Sequence, residues 1–286
     1  MKINGLKKGD IVGRKSYGKD IAFFISDIYI DKNVAMAMLK GITIRIVADS
    51  PIFDLEVLSD KAIKNAISKF DFEISNVKEI KNTQKVQILK RNSVKYGRIL
   101  HLDGDRRYSE KSQRFYKNMG LNVIVKNITE NKQPQVINSL LNKYYPDVLI
   151  VTGHDGMIKK GHNFNDIYNY RNSRYFVETV IRARMWERGK NNNLAIFAGA
   201  CQSYYEALIE AGANFASSPA RIMIEYRDPL IIASKIAYTD SNKYVSINDL
   251  KPYLKSNYNG MGGTRAKGKK NGWQKDKKRK CNSIVI

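Results

Sequence analysis

The pattern of apolar and polar positions changes character along the chain, and the first 57 residues form one region. They contain short apolar runs separated by glycine and aspartate, and the stretch "GITIRIVADSPIFDL" alternates apolar with polar residues. Alternation with a period of two is typical of half-buried β-strands. Several short strands in so few residues predict a small β-barrel of the SH3-like kind.

From Gly97 onward, continuously apolar runs alternate with longer helical stretches that end at glycines such as Gly120 and Gly212. The predicted strands lie in the segments "GRILHLDGD", "LNVIVKNI", "DVLIV", "LAIFAG" and "ANFASSP". Strands that are apolar throughout are buried on both faces, and helices between consecutive strands favour parallel pairing. The pattern therefore predicts an α/β domain with a doubly wound, mostly parallel sheet.

Two further regions complete the predicted organisation. Residues 58–96 are charged and carry apolar residues at helical spacing, which predicts a helical connector. Residues 264–280 hold nine basic residues and one acidic residue, so the end of the chain reads as a basic, disordered tail. The predicted domains are thus the barrel at 1–57, the connector at 58–96, the α/β domain at 97–260 and the tail at 261–286.

The charge of the chain points to its partners. Fifty lysines and arginines stand against 27 acidic residues, which gives a formal net charge of +23. This balance favours a polyanionic partner or an acidic surface, although a purely solubilising tail explains its share of the charge equally well. No apolar run approaches the ~20 residues that cross a bilayer, and the N-terminus has no secretory h-region. A cytoplasm-like location without a membrane span is expected.

Two reactive side chains follow consecutive predicted strands. His154 lies in "VLIVTGHDG", directly after Gly153, and Cys201 lies in "LAIFAGACQS", two residues after Gly199. Open α/β sheets place their chemistry at the carboxyl ends of parallel strands, and consecutive strands are often neighbours. The two side chains are therefore expected to meet, and a thiolate beside an imidazole is the minimum equipment for nucleophilic acyl transfer. The helix predicted after Cys201 should lower the pKa of its thiol.

The other cysteine and histidines give weaker signals. The chain has two cysteines and three histidines, too few for a disulfide framework and without zinc-site spacing, so no metal or cofactor is predicted. Cys281 lies in the predicted tail. His101 falls inside a strand and is expected to be a core residue, whereas His162 falls in a polar loop.

The segments around His154 and Cys201 resemble the caspase-like cysteine peptidases, in which a strand ending in His-Gly precedes a strand ending in Ala-Cys. The order and spacing fit. Asp155 is a departure, because it separates His154 from Gly156 where the family has His-Gly directly. The resemblance implies a caspase-like fold and an oxyanion hole made by the backbone N–H groups of Gly156 and Cys201, with Asp155 as the alternative to Gly156.

Longer segments resemble the YabG family of sporulation peptidases from endospore-forming bacteria. They are "KKGDIVGRKSYGKDIAFFISDI", "LKGITIRIVADSPIFDL", "GRILHLDGD", "YRNSRYFVETVIRARMWE" and "FAGACQSYYEALIEAGANFASSPARIMI". The resemblance implies a cysteine endopeptidase that processes spore-coat and cortex-related proteins during sporulation, with a preference for cutting after arginine. It also implies the mother-cell cytoplasm as its location, in association with the spore coat.

A preference for arginine requires a carboxylate in the specificity pocket, because a buried guanidinium has to be paired. The loop after the first strand of the α/β domain offers Asp103 and Asp105 as substrate-binding candidates. Glu225 and Asp228, beyond the fifth strand, are the next candidates. Ordinary solvated turn carboxylates are the alternative reading of the first pair.

Two other functional classes fit parts of the sequence. A non-enzymatic nucleic-acid- or coat-binding protein would account for the barrel, the charge and the tail, but not for the matched positions of His154 and Cys201. A class I glutamine amidotransferase also places a cysteine between a strand and a helix, but its histidine follows the cysteine. No histidine follows Cys201 in this chain.

Overall fold

A computed structural model of the chain describes residues 2–75, 95–158, 163–188, 190 and 193–271. Its N-terminal region holds β1 (Lys2–Ile3), β2 (Leu6–Lys7), β3 (Ile11–Arg14), β4 (Phe23–Asp31), β5 (Val34–Gly41), β6 (Val47–Pro51) and β7 (Leu55–Val57). Five of these strands form an antiparallel sheet in the order β6-β5-β4-β3-β7. The separate N-terminal β-region is therefore confirmed, whereas its SH3-like barrel form stays a prediction.

The rest of the chain builds a larger, mixed sheet. Its strands and those of a separate two-stranded sheet, formed by β13 and β15, are β8 (Ile99–Asp103), β9 (Val123–Asn127), β10 (Val148–Thr152), β11 (Ala195–Ala198), β12 (Phe215–Ser217), β13 (Tyr244–Ser246), β14 (Met261–Gly263) and β15 (Arg265–Lys267). The large sheet has the order β14-β12-β11-β10-β8-β9. All five strands predicted from the apolar runs are present and pair in parallel, and β14 adds an antiparallel edge.

The helices of the described residues are α1 (Asp60–Ser75), α2 (Arg106–Asn118), α3 (Gln133–Tyr144), α4 (Ser173–Arg188), α5 (Tyr205–Glu210), α6 (Asp228–Tyr238), α7 (Ile247–Leu250) and α8 (Asn257–Gly260). Of these, α2 to α6 pack on the two faces of the large sheet. Alternate strand residues such as Ile99 and Leu100 enter two different cores. One core contains side chains of α2 and α6, and the other contains side chains of α3, α4 and α5. The α/β architecture is confirmed, and a caspase-like relationship stays a prediction.

The predicted connector and tail are only partly within the described residues. The helix α1 covers the start of the connector, while residues 76–94 lie outside the described residues, as do His162 and Cys281. No helix in the described part of the chain combines the length and the apolar character needed to cross a membrane.

The structure differs from the predicted tail at its beginning. Residues 261–271 contain β14, which pairs with β12, and β15, which pairs with β13. Gly263 makes the first pairing possible, because it has a φ of +146° and a Cβ there would lie 2.3 Å from the Asn214 carbonyl oxygen. The high charge of this segment led to the prediction of a disordered tail instead of strands. Only residues 272–286 of the predicted tail lie outside the described residues.

Candidate active site

The register of the parallel strands brings the candidate residues to one edge of the large sheet. The central strand β10 lies between β8 and β11, with Thr152 opposite Asp103 and Val151 opposite Ala198. The loops that carry His154 and Cys201 follow directly from β10 and β11. The sequence-based expectation that these strands are neighbours is therefore confirmed.

His154 is fully buried and held at both its backbone and its ring. Its N–H donates to Oε1 of the buried Glu130 at 2.7 Å, and its Nε2 lies 3.2 Å from the Gly41 carbonyl oxygen. A carbonyl oxygen only accepts, so Nε2 carries the hydrogen and Nδ1 is the basic nitrogen. Within the described residues Nδ1 has no hydrogen-bond partner. Burial lowers the pKa of the imidazole, which favours its neutral form.

Cys201 is also fully buried. Its Sγ accepts a hydrogen bond from the Ile224 N–H at 3.4 Å. Burial raises the pKa of the thiol to about 12, although the Ile224 N–H and the positive charge of Arg45 act in the opposite direction. This differs from the sequence-based expectation of a lowered pKa. The helix α5 begins only at Tyr205, and desolvation of the sulfur dominates.

The two side chains share a set of neighbours. Among the described residues no hydrogen bond joins His154 to Cys201. Both side chains instead have Tyr108 as a neighbour. Its centroid is 5.8 Å from that of the His154 ring, and the guanidinium carbon of Arg45 is 4.6 Å from the Tyr108 centroid. Burial and the nearby Cys201 both raise the pKa of Tyr108. The histidine and the cysteine therefore border one buried cluster.

Asp103 lies within this cluster, whereas Asp105 lies outside the pair with Arg45, although its negative charge opposes the lowering of the His154 pKa by burial. Oδ2 of the fully buried Asp103 lies 2.6 Å from Nη2 of the equally buried Arg45 and accepts from the Thr152 hydroxyl at 3.0 Å. Burial of Asp103 opposes ionisation, yet the Arg45 charge and smaller contributions from His101 lower its pKa to about 2. The side chain of Asp105 caps α2 by accepting from the backbone N–H groups of residues 107 and 108.

Asp155, the residue that interrupts the expected His-Gly pair, ties several segments together. Its Oδ1 accepts from the N–H groups of Gly156 (2.9 Å) and Asn172 (2.8 Å). Its Oδ2 accepts from the hydroxyls of Ser173 (2.5 Å) and Ser203 (2.8 Å). The carboxylate thus joins the histidine loop, the start of α4 and the cysteine loop. Burial raises its pKa to about 6, against these four hydrogen bonds.

The same arrangement changes which backbone group can serve an oxyanion. The N–H of Gly156 is taken up by the Asp155 side chain, whereas the Asp155 N–H donates to the Arg45 carbonyl oxygen at 3.2 Å. Gly156 has another constraint, because a Cβ there would lie 2.2 Å from the Val47 carbonyl oxygen. Of the two alternatives, the Asp155 N–H is the one that faces a carbonyl beside the cysteine.

Sequence reasoning missed Arg45, Tyr108 and Glu130. Arg45 lies 58 residues before Asp103 in an alternating β-rich stretch, where an arginine reads as an exposed position. Asp155 gave a signal, since it broke the expected motif. Glu225 and Asp228, the reserve candidates for the specificity carboxylate, are otherwise engaged: Glu225 pairs with Arg227, and Asp228 accepts from the N–H groups of residues 255 and 256.

Replacing Asp155 by asparagine should impair both stability and cleavage. The hydroxyls of Ser173 and Ser203 already accept N–H groups from Tyr204 and Ala200, so they need Asp155 as acceptor of their own hydrogens. An amide nitrogen cannot accept them, and two buried donors would lose their partner at a cost of about 1–3 kcal/mol. Urea unfolding should show this loss, and kcat should fall with little change in KM because both loops shift.

The matched control for this experiment is Asp166→Asn. Asp166 accepts a backbone N–H from Tyr168 on an exposed turn, so its substitution should leave both readings close to wild type. A variant at Asp155 that unfolds like wild type and keeps wild-type kcat would show that the carboxylate does not position the two loops.

A buried histidine, a cysteine and an arginine-binding carboxylate at one sheet edge define a candidate site for peptide hydrolysis. Among the described residues no group of three or more histidine, cysteine and acidic side chains is placed to hold a metal ion. Residues 7–273 match the family described as YabG peptidase U57. The chain is 36% identical over 275 residues to the sporulation-specific protease YabG of Bacillus subtilis (strain 168), which covers 91% of this chain and 94% of that protein.

The chain therefore belongs to the YabG family of sporulation peptidases. This confirms the family resemblance noted in the sequence and supports a protease role in sporulation. It favours the peptidase prediction over the non-enzymatic binding protein.

Proposed function

We propose that the chain is a cysteine endopeptidase that cuts after arginine, with Cys201 as nucleophile and His154 as acid and base. The observation that carries this proposal is the buried pair between the Arg45 guanidinium and Asp103 in the cluster that also borders His154 and Cys201. A pocket that binds the Arg45 side chain beside a cysteine has the chemistry to bind the arginine of a substrate in its place. The family assignment supplies the peptidase activity.

The reaction follows from the state of the two side chains. In the resting site the cysteine is a thiol and the histidine is neutral, so the proton starts on sulfur. As Sγ attacks the substrate carbonyl carbon, its proton passes to the unprotonated Nδ1 of His154. The Asp155 N–H stabilises the oxyanion, as it now binds a carbonyl oxygen, and the Cys201 N–H remains the second candidate donor.

Collapse of the tetrahedral intermediate breaks the peptide C–N bond. His154 gives the proton to the leaving amine, and the acyl group stays on Cys201 as a thioester. His154 then takes a proton from water, whose oxygen attacks the thioester. The C–S bond then breaks and His154 returns its proton to Sγ, which gives the new carboxylic acid and the restored thiol. The Gly41 carbonyl holds the Nε2 hydrogen throughout and keeps Nδ1 available for each transfer.

Asp103 is the proposed specificity residue, and Asp105 is proposed only to shape its loop. A guanidinium makes paired hydrogen bonds with a carboxylate that an ammonium cannot reproduce. Arginine should therefore be preferred over lysine before the cleaved bond. Spore-coat and cortex-related proteins in the mother cell are the proposed substrates, and the name of the Bacillus subtilis relative supports a role in sporulation.

Mapping of cleavage products tests the proposal as a whole. The wild-type protein and Cys201→Ala are each incubated with a basic coat-type protein, and the new termini are identified by mass spectrometry. The expected result is a set of new C-terminal arginines from the wild type and none from the variant. Equal cleavage by Cys201→Ala would exclude Cys201 as nucleophile, and cuts without an arginine preference would exclude the pocket.

The basic end of the chain is proposed to bind a polyanionic surface. Residues 272–286 carry five basic residues and one acidic residue. Truncation after Asn271 should weaken binding to heparin and flatten its salt dependence, because fewer counterions are released. Cleavage of a short neutral peptide should stay within about twofold of wild type, since every described residue around His154 and Cys201 is kept.

Truncation after Gly263 provides the contrast. It would also remove β15, whose Ala266 is buried, and the backbone bridge between Lys95 and Asn271. This shorter chain should unfold at lower urea concentration. Heparin binding that is unchanged after removal of residues 272–286 would show that the charge of this segment has no such role.

A further inference from the structure

The loop that joins β5 to β6 lies across the candidate site. This arginine loop comprises residues 42–46. The Asp155 N–H donates to the Arg45 carbonyl oxygen at 3.2 Å, and the Val47 N–H donates to the Asp155 carbonyl oxygen at 2.8 Å. The N-terminal sheet thus pairs its backbone with the loop that carries His154, in the way that an extended peptide adds to an exposed strand.

The side chain of Arg45 reaches into the cluster. It has no exposed surface, its Nη2 lies 2.6 Å from Asp103, and its guanidinium lies over the Tyr108 ring. Its backbone N–H and its charge both act on the Cys201 thiol. Arg45 therefore has each feature expected of a substrate arginine: a guanidinium on the carboxylate, an amide beside the sulfur and a carbonyl on a backbone N–H.

We infer that the arginine loop is a built-in plug, in which Arg45 fills the pocket for a substrate arginine and has to be displaced before a substrate is cut. This inference rests on the proposed function, since it assigns the occupant of the same pocket. It makes the described structure the closed state of the site. Substrates would then compete with a segment of the same chain.

The backbone of the loop explains why the plug is not itself cut. The Ile46 N–H donates to the Ile44 carbonyl oxygen at 2.9 Å, which closes a tight turn centred on Arg45. The nitrogen that would leave is therefore engaged within the loop. The ring of His154 is held by the Gly41 carbonyl, directly before the same loop.

The plug is also built to be displaced. Within the described residues, Nε and Nη1 of Arg45 have no hydrogen-bond partner, so the pocket satisfies only part of the guanidinium. A buried polar atom without a partner weakens the state that contains it. A cavity of about 190 Å³ lies alongside, lined in part by Ile42 and Tyr108. The loop therefore has open space beside it.

Thiol alkylation tests the plug without relying on proteolysis. In a Cys281→Ser background, Cys201 is the remaining cysteine, and its reaction with iodoacetamide at pH 8 is followed by mass spectrometry. Removing the plug with Arg45→Ala should accelerate alkylation by about tenfold or more, because the sulfur becomes accessible. The matched control is Arg14→Ala, an arginine of the same sheet placed over Tyr17. It should react at the wild-type rate.

Protection of the thiol by added arginine amide is the second part of the alkylation experiment. It should slow alkylation of Arg45→Ala by refilling the pocket, and glutamine amide should not. Neither amide should protect Arg45→Ala/Asp103→Asn. This double variant also replaces Arg45→Ala if loss of the guanidinium leaves Asp103 too poorly paired to fold, because it buries no unpaired charge. Its thiol should still react about tenfold faster than wild type.

The outcomes separate the plug from the proposed function. Alkylation at the wild-type rate in both Arg45 variants would overturn the plug, even if Cys201→Ala is inactive. Fast alkylation with retained cleavage by Cys201→Ala would support the plug and reject the nucleophile. A cut between Arg45 and Ile46 in wild type, absent from Cys201→Ala, would make the loop a substrate and overturn its role as a plug.

Discussion

Replacing Cys201 or His154 by alanine is expected to abolish cleavage of peptide bonds. Loss of the nucleophile removes the acyl-enzyme route, and kcat/KM should fall by at least about 10⁴-fold. Loss of the histidine should cost nearly as much, since the other described histidine, His101, has both ring nitrogens engaged by Thr152 and Tyr116. The double variant should be no worse than either single variant, because groups that act as one unit are not additive.

The measurement pairs kinetics with a test of folding. Hydrolysis of a fluorogenic arginyl peptide gives kcat/KM, and urea unfolding shows that each variant keeps its structure. Cys201→Ala removes only one buried sulfur, so its stability should fall by about 1 kcal/mol or less. The control is Cys281→Ser, which should keep full activity. Substantial activity in Cys201→Ala would move the nucleophile to another residue.

Replacing Asp103 by asparagine should remove the preference for arginine. A substrate guanidinium would then be buried without its partner, which costs about 3–5 kcal/mol. At about 1.4 kcal/mol for each factor of ten, kcat/KM for arginyl peptides should fall by roughly two to three orders of magnitude. Peptides with glutamine at that position should be affected much less, so the ratio between the two substrates reports the pocket.

Because Arg45 occupies the pocket in the closed state, the Asp103 experiment needs a background in which the pocket is open. Asp103→Asn alone would also leave Arg45 buried without its carboxylate. The substitution is therefore compared in an Arg45→Ala background, where the pocket is open in both proteins. Asp105→Asn serves as control, because Asp105 caps α2 and should change stability more than the substrate ratio. An unchanged arginine-to-glutamine ratio in Arg45→Ala/Asp103→Asn would place the specificity carboxylate elsewhere.

The elements of the α/β domain were predictable because their signals are local. Five apolar runs flanked by glycines predicted β8 to β12. His154 and Cys201 became candidates because they follow β10 and β11. The parallel register then places Asp103 at the same edge. These conclusions need only burial patterns and the geometry of parallel sheets.

The features that could not be predicted from the sequence depend on contacts between distant segments. Nothing in an alternating strand pattern indicates that Arg45 turns inward to Asp103, or that β14 pairs with β12 despite the basic residues around it. The pKa of Cys201 was misjudged for a similar reason. A helix after a cysteine can be read from sequence, whereas the complete burial that raises this pKa depends on the folded structure, in which Ile224 and Arg45 are both neighbours of the sulfur.

The hydrogen bond from His154 to Gly41 has a consequence for how the chain can be divided. A fragment that began at Gly97 would keep the large sheet, but it would lose the carbonyl that fixes the imidazole tautomer and the backbone that pairs with Asp155. The N-terminal sheet is thus a second wall of the site and not an appendage. The smallest unit that can hold the His154 ring in this orientation is the two sheets together.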